Sequence, residues 1–155
     1  MPSAILKPSR AGPAYDDDVY AWAAVQAALL RAGRLAEADI ANIAEELDDV
    51  GKSQRLALAS HVATVIEHLM KLQASPAIEP RAGWRSTIRR SRHRIEKLLQ
   101  ASPSLRRELP SIVNEETEPA RQLAAASLAD HGEPADQLPG LVYDESQVLG
   151  SWMPD

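Results

Sequence analysis

The chain has 155 residues, and a single domain is the prior at that length. Hydrophobic residues make up 45% and charged residues 25%, proportions that exclude a disordered, collagen-like or membrane-spanning chain. Cysteine is absent, which excludes disulfides, thiolate metal sites and cysteine nucleophiles. The net charge of −5 argues against a protein that coats nucleic acid in bulk.

The first fourteen residues hold three Pro, one Gly and little periodicity, and read as a flexible N-terminal tail. They lack the apolar run of a signal peptide, and no later run approaches the ~20 residues of a membrane span. The expected location is the cytoplasm, and no membrane partner is expected. From residue 15 to residue 155 the pattern reads as a single helical domain.

One of Asp16, Asp17 or Asp18 caps a first helix, with Val19, Trp22, Ala23, Gln26, Leu29 and Leu30 at helical spacing. Gly33 is its stop signal. Ile40, Ile43, Ala44, Leu47 and Val50 place a second helix on a stripe about 120° wide, with Asn42, Glu45 and Asp49 opposite. Gly51 is expected to end or bend it. A long third helix over about 53–74 carries Leu58, Val62, Val65, Leu69 and Leu72, widened by Leu56, Ala59, Ala63, Ile66 and Met70. An apolar arc that wide predicts a central helix touching two or more neighbours.

Pro76, Pro80 and Gly83 break the pattern. A fourth helix over about 84–100 follows, with Trp84, Ile88, Ile95, Leu98 and Leu99 as its stripe. Ser102-Pro103 and Pro110 restart the chain for a fifth helical stretch to about Ala129, in which Pro119 predicts a kink. The remainder, 133–155, reads as an extended tail docked on the body. Tyr143, Leu149 and Trp152 are its expected anchors, and Asp144 caps a short turn. No strand signal survives. The expected fold is all-α, a bundle of about five main helices around a long central helix, with the C-terminal tail folded back.

Several segments together resemble a known family. They are YDDDVYAWAAVQAALLRAGR from Tyr15, DIANIAEELDDVGKSQR from Asp39, HLMKLQ from His68, GWRSTIRRSRHRIEKLL from Gly83, ARQLAAA from Ala120 and YDESQVLG from Tyr143. Their order and content are similar to a bacterial family of uncharacterised helical proteins, domain of unknown function 29. The resemblance covers about residues 15–155. It implies a helical domain of about 140 residues and no particular activity, cofactor or partner.

Charge is strongly segregated. Arg81, Arg85, Arg89, Arg90, Arg92, Arg94 and Lys97 face only Glu79 and Glu96 within 79–97, a local charge of +5. Residues 36–51 carry Glu37, Asp39, Glu45, Glu46, Asp48 and Asp49 with no basic residue, a local charge of −6. On a helical wheel Arg85, Arg89 and Arg92 lie on one flank of the Trp84 stripe, and Arg90, Arg94 and Lys97 on the other. A helix that reads a nucleic-acid groove needs its basic residues on one face opposite the core. Two flanking rows are the pattern of snorkelling side chains with acidic partners. Carboxylates of residues 37–49, or of a second copy, are the expected partners of Arg85, Arg89 and Arg92.

His61 and His68 stand seven residues apart, roughly 10 Å along a helix axis, too far for one ion at ordinary bond lengths. With Glu46 they are only weak metal candidates. The expected state of these histidines is half-buried and hydrogen-bonded to a neighbouring helix. There is no nucleophile elbow, glycine-rich phosphate loop or carboxylate dyad, and hence no catalytic residue or cofactor to assign. The expectation is a non-catalytic interaction or scaffold module that binds a protein partner or itself as a homo-oligomer. The alternative is a nucleic-acid-associated protein using the Arg-rich helix 81–97. Third is a metal-dependent enzyme around His61 and His68.

Overall fold

Helix α1 (Val19–Arg31) begins where Asp18 Oδ1 accepts the Ala21 N–H at 2.9 Å, so Asp18 is the one cap among the three aspartates. It ends on Gly33, whose φ of +70° only glycine adopts without strain. There the Arg34 N–H returns to the Leu29 carbonyl and the Gly33 N–H to Leu30, a Schellman closure. Helix α2 (Ile40–Ala74) follows, then α3 (Arg81–Ala101), α4 (Leu109–Asp130) and the short α5 (Glu145–Leu149), with a 3₁₀ turn in every link but that between α2 and α3. The computed structural model describes residues 12–155, which contain no strand; the protein is all-α. The tail expected over 1–14 lies, for residues 1–11, outside the described residues.

The described residues divide into two compact units, 12–52 and 53–155. In the first, α1 buries Trp22, Gln26 and Leu29. The Gln26 amide oxygen accepts the Asp39 N–H at 2.8 Å, and Asn42 donates to the Asp39 carboxylate at 2.8 Å, which organises the start of α2. Tyr15 packs edge-on against Trp22 at 4.9 Å and donates its hydroxyl to Glu46. That hydrogen bond, with the surrounding negative charge, raises the Tyr15 phenol to about 12. The apolar stripe of this part of α2 is largely uncovered. Ile40 is 53% and Leu47 68% exposed, and Ala44 is exposed too, while Asn42, Ile43 and Glu46 are half-buried.

The second and third helices expected from the sequence are one. Gly51 neither ends nor interrupts α2, and a side chain added there would meet only open space. An exposed interior glycine costs only about 0.5–1 kcal/mol. The count of five holds because α5 makes the fifth.

In the second unit, the C-terminal half of α2 is central as its wide arc required. Leu58, Val62, Val65, Ile66, Leu69 and Met70 are fully buried. Leu56 is 67% exposed and does not join them. Against this core pack Ile88, Ile95 and Leu99 of α3 and Leu109, Ile112, Ala120, Ala124 and Leu128 of α4. Arg55 ties α2 to the next elements through Glu108 at 2.6 Å and Glu115 at 2.9 Å. Helix α4 runs through Pro119 unbroken; the ring is exposed, and its missing N–H costs the Glu115 carbonyl one helical donor. Gly132 at φ +67° closes α4 by the same Schellman geometry as Gly33, with the Glu133 N–H on the Leu128 carbonyl.

The C-terminal segment packs into the same core through Leu138, Tyr143 and Val148, which are 1%, 8% and 0% exposed. Asp144 caps α5 in a complete capping box with Gln147. Tyr143 also donates its hydroxyl to Gln73 of α2, and burial pushes its phenol well above the usual range. Two of the expected anchors change rank. Leu149 is only half-buried, and Trp152 is 38% exposed beside Tyr143, its ring 6.1 Å away.

Candidate functional site

Helix α3 buries a narrow stripe of Ile88, Ser91, Ile95 and Leu99 and carries a basic row on each side of it. The first row turns toward the C-terminal segment. Arg92 donates to the carbonyls of Val148 at 2.8 Å, Gln147 at 2.6 Å and Trp152 at 2.8 Å. The first two are carbonyls in the last turn of α5, where orphan acceptors favour a cation, and the third lies just beyond the helix. Arg85 donates to the Pro154 carbonyl at 3.3 Å, and Arg81 to the carbonyls of Leu72 and Asp155. Burial holds the Arg92 guanidinium below its usual range, so these hydrogen bonds compensate a real desolvation.

Within one chain, main-chain carbonyls stand where carboxylate partners were expected. Arg85 and Arg92 are half-buried clamps on main-chain carbonyls. Arg89 is exposed, and none of the three forms an ion pair among the described residues. The sequence hid this because carbonyl acceptors leave no side-chain signature. Val148 was the other omission, and it had a signal. Tyr143 and Val148 occupy the N′ and N4 positions around the capping box, where two apolar residues staple a helix start.

Between this row and the C-terminal segment lies a groove of about 790 Å³. Arg85, Arg89, Arg92 and Arg106 line it with His93, over a floor that includes Ile95 and Leu99. Glu96 and Asp155 are its acidic members. The second row is separate. Arg90 and Arg94 are exposed with Lys97, and Arg94 and Lys97 border a shallow recess of about 360 Å³ with Ala57, His61, Leu98 and Ala101.

His61 and His68 both lie on α2. His68 Nδ1 donates to the Thr64 carbonyl of its own helix at 2.9 Å, where a bond to a neighbouring helix was expected. Burial first, then the Lys71 charge, hold its pKa below the ordinary value of 6.5. Burial and Arg94 lower His61 likewise. Lys71, itself buried, pairs with Glu67 at 2.7 Å and sits 5.6 Å over the Trp84 ring. Among the described residues no three His, Asp or Glu side chains converge on a point a metal ion could occupy, so His61, His68 and Glu46 are not assembled into a site. No helix among them is long and apolar enough to cross a membrane.

Among the described residues the two flanks of α3 thus carry one groove lined by four arginines and one shallow recess bordered by Arg94 and Lys97. The chain belongs to the family described as domain of unknown function DUF29, whose model matches residues 14–152. No curated protein and no solved structure matches it.

Proposed function

We propose that this protein is a non-catalytic interaction module that self-associates, the uncovered apolar stripe of α2 in one copy, bordered by Asp48, docking on the second basic row of another. The observation that carries this is Leu47, 68% exposed on a helical stripe with Ile40, 53% exposed, and Ala44. Among its described residues the first unit buries few large apolar side chains, chiefly Trp22 and Leu29. Covering the stripe would add about 1.5–3 kcal/mol for each large side chain.

Charge chooses the occupant. Residues 36–51 carry −6, and the exposed Arg90, Arg94 and Lys97 border an apolar recess of matching character. Opposite charges of that size steer association between copies and fix its register. Sedimentation equilibrium at tens of micromolar tests this. The wild-type chain should sediment as an oligomer that dissociates in high salt, and Leu47→Glu should sediment as a monomer. A wild-type chain that stays monomeric in low salt contradicts the proposal. A duplex DNA that binds with a steep salt slope through Arg90 and Arg94 would favour the nucleic-acid reading instead.

A further inference from the structure

The groove on the opposite flank of α3 has a chemistry of its own. Four arginines, Arg85, Arg89, Arg92 and Arg106, line about 790 Å³, a volume in the range of small-molecule sites. None of the four pairs with a carboxylate among the described residues. Arg85 and Arg92 spend donors on main-chain carbonyls, which fixes their guanidinium groups and pre-organises the wall. Arg89, on α3, and Arg106, on the 3₁₀ turn Pro103–Glu108, are exposed with no hydrogen-bond partner among the described residues. Glu96 and Asp155 offset only part of this positive charge. The floor is apolar, with Ile95 and Leu99 buried beneath it.

We propose that this groove binds a small phosphate ester, its phosphate held by Arg89 and Arg106 and its apolar portion laid against the half-buried Leu149 and Met153. A planar guanidinium offers two parallel donors to a phosphate, which is why arginine dominates such sites. The groove is concave and walled by the C-terminal segment from Leu149 to Asp155, a shape that fits a single small ligand and not a duplex. It is built wholly from residues 85–155, so it stands whether or not the chain self-associates.

Titration calorimetry on the full chain at low ionic strength tests it, with phenyl phosphate and inorganic phosphate as probes and a short DNA duplex as a third arm. Phenyl phosphate should bind once per chain and several-fold tighter than inorganic phosphate. Arg89→Glu and Arg106→Glu should each weaken it at least tenfold with an unchanged thermal midpoint. Both side chains are exposed, so folding should survive either change. Arg31→Glu, exposed on α1 and outside the groove lining, should leave the affinity within about twofold. No saturable binding at millimolar phenyl phosphate would overturn the proposal, as would equal loss in Arg31→Glu. Duplex binding that vanishes in the groove variants, without phenyl phosphate binding, would reassign the groove to a polyanion. The same titrations on Leu47→Glu separate a failure here from a failure of self-association.

Discussion

Replacing Arg92 by methionine keeps most of the stem volume and removes every guanidinium donor. Three carbonyls, those of Gln147, Val148 and Trp152, lose their charged partner at once. A hydrogen bond to a charged group contributes about 1.5–3 kcal/mol net. The full sum will not be lost, for two reasons. Arg92 is itself depressed by burial, so removing it also removes a desolvation cost. Trp152 and Gly150 are exposed, so water can reach part of the freed backbone. The expected cost is therefore about 2–4 kcal/mol. With a urea slope of roughly 1–3 kcal/mol per molar, the unfolding midpoint should fall by about 1–2 M. Hydrogen exchange gives the local signature. Amides of α5 should open faster in Arg92→Met, while those of α2 around Val62–Leu69 keep their order as the slowest. An unchanged urea midpoint together with unchanged α5 protection would refute the view that Arg92 clamps the C-terminal segment.

Leu69→Ala removes a fully buried side chain from the centre of the second unit and should cost about 2–5 kcal/mol, read from the same urea transition. Gly132→Ala forces an L side chain to φ +67° and should lower the thermal midpoint by the equivalent of about 1 kcal/mol, whereas Gly51→Ala, in open helix, should raise it. Burial lowers the folded-state pKa of His61 and His68, so as pH falls below 6.5 the unfolded chain takes up protons first. Stability conferred above that pH is then lost as pH passes through the lowered values. Urea midpoints between pH 7.5 and 5 should decline, and His68→Gln should flatten the decline; an equally steep slope in the variant would show the protons bind elsewhere. The lowered carboxylates, Glu37, Glu115 and Asp144, release their contribution only further down, below their ordinary values near 4.

Periodicity made most of the fold legible. The wide arc of Leu58, Val62, Val65 and Leu69 could satisfy no role but a central helix, and these residues are fully buried. Asp18, Gly33, Asp144 and Gly132 marked helix ends by chemistry that is local, hence readable one residue at a time. Gly51 misled because a glycine that stops a helix and a glycine tolerated inside one look alike when no neighbouring cap decides. The stripe from Ile40 to Val50 predicted a face but not what covers it, since amphipathicity is blind to the difference between a partner in the same chain and one in another. Arg85 and Arg92 were correctly set apart by their place on the wheel. Their acceptors were not foreseeable from residue types, because the carbonyls they bind belong to any sequence that passes there.

The proposed docking of one copy's apolar α2 stripe on another copy's basic row would make the two surfaces separable. Leu47→Glu lacks the first and keeps the second; Arg94→Glu keeps the first and lacks the second. Each variant alone should sediment as a monomer. Mixed in equal amounts at tens of micromolar and low salt, they should form a complex with the mass of two chains, because one intact pair of surfaces is restored. A mixture that sediments as monomers, or either variant that still self-associates as wild type does, would contradict the account.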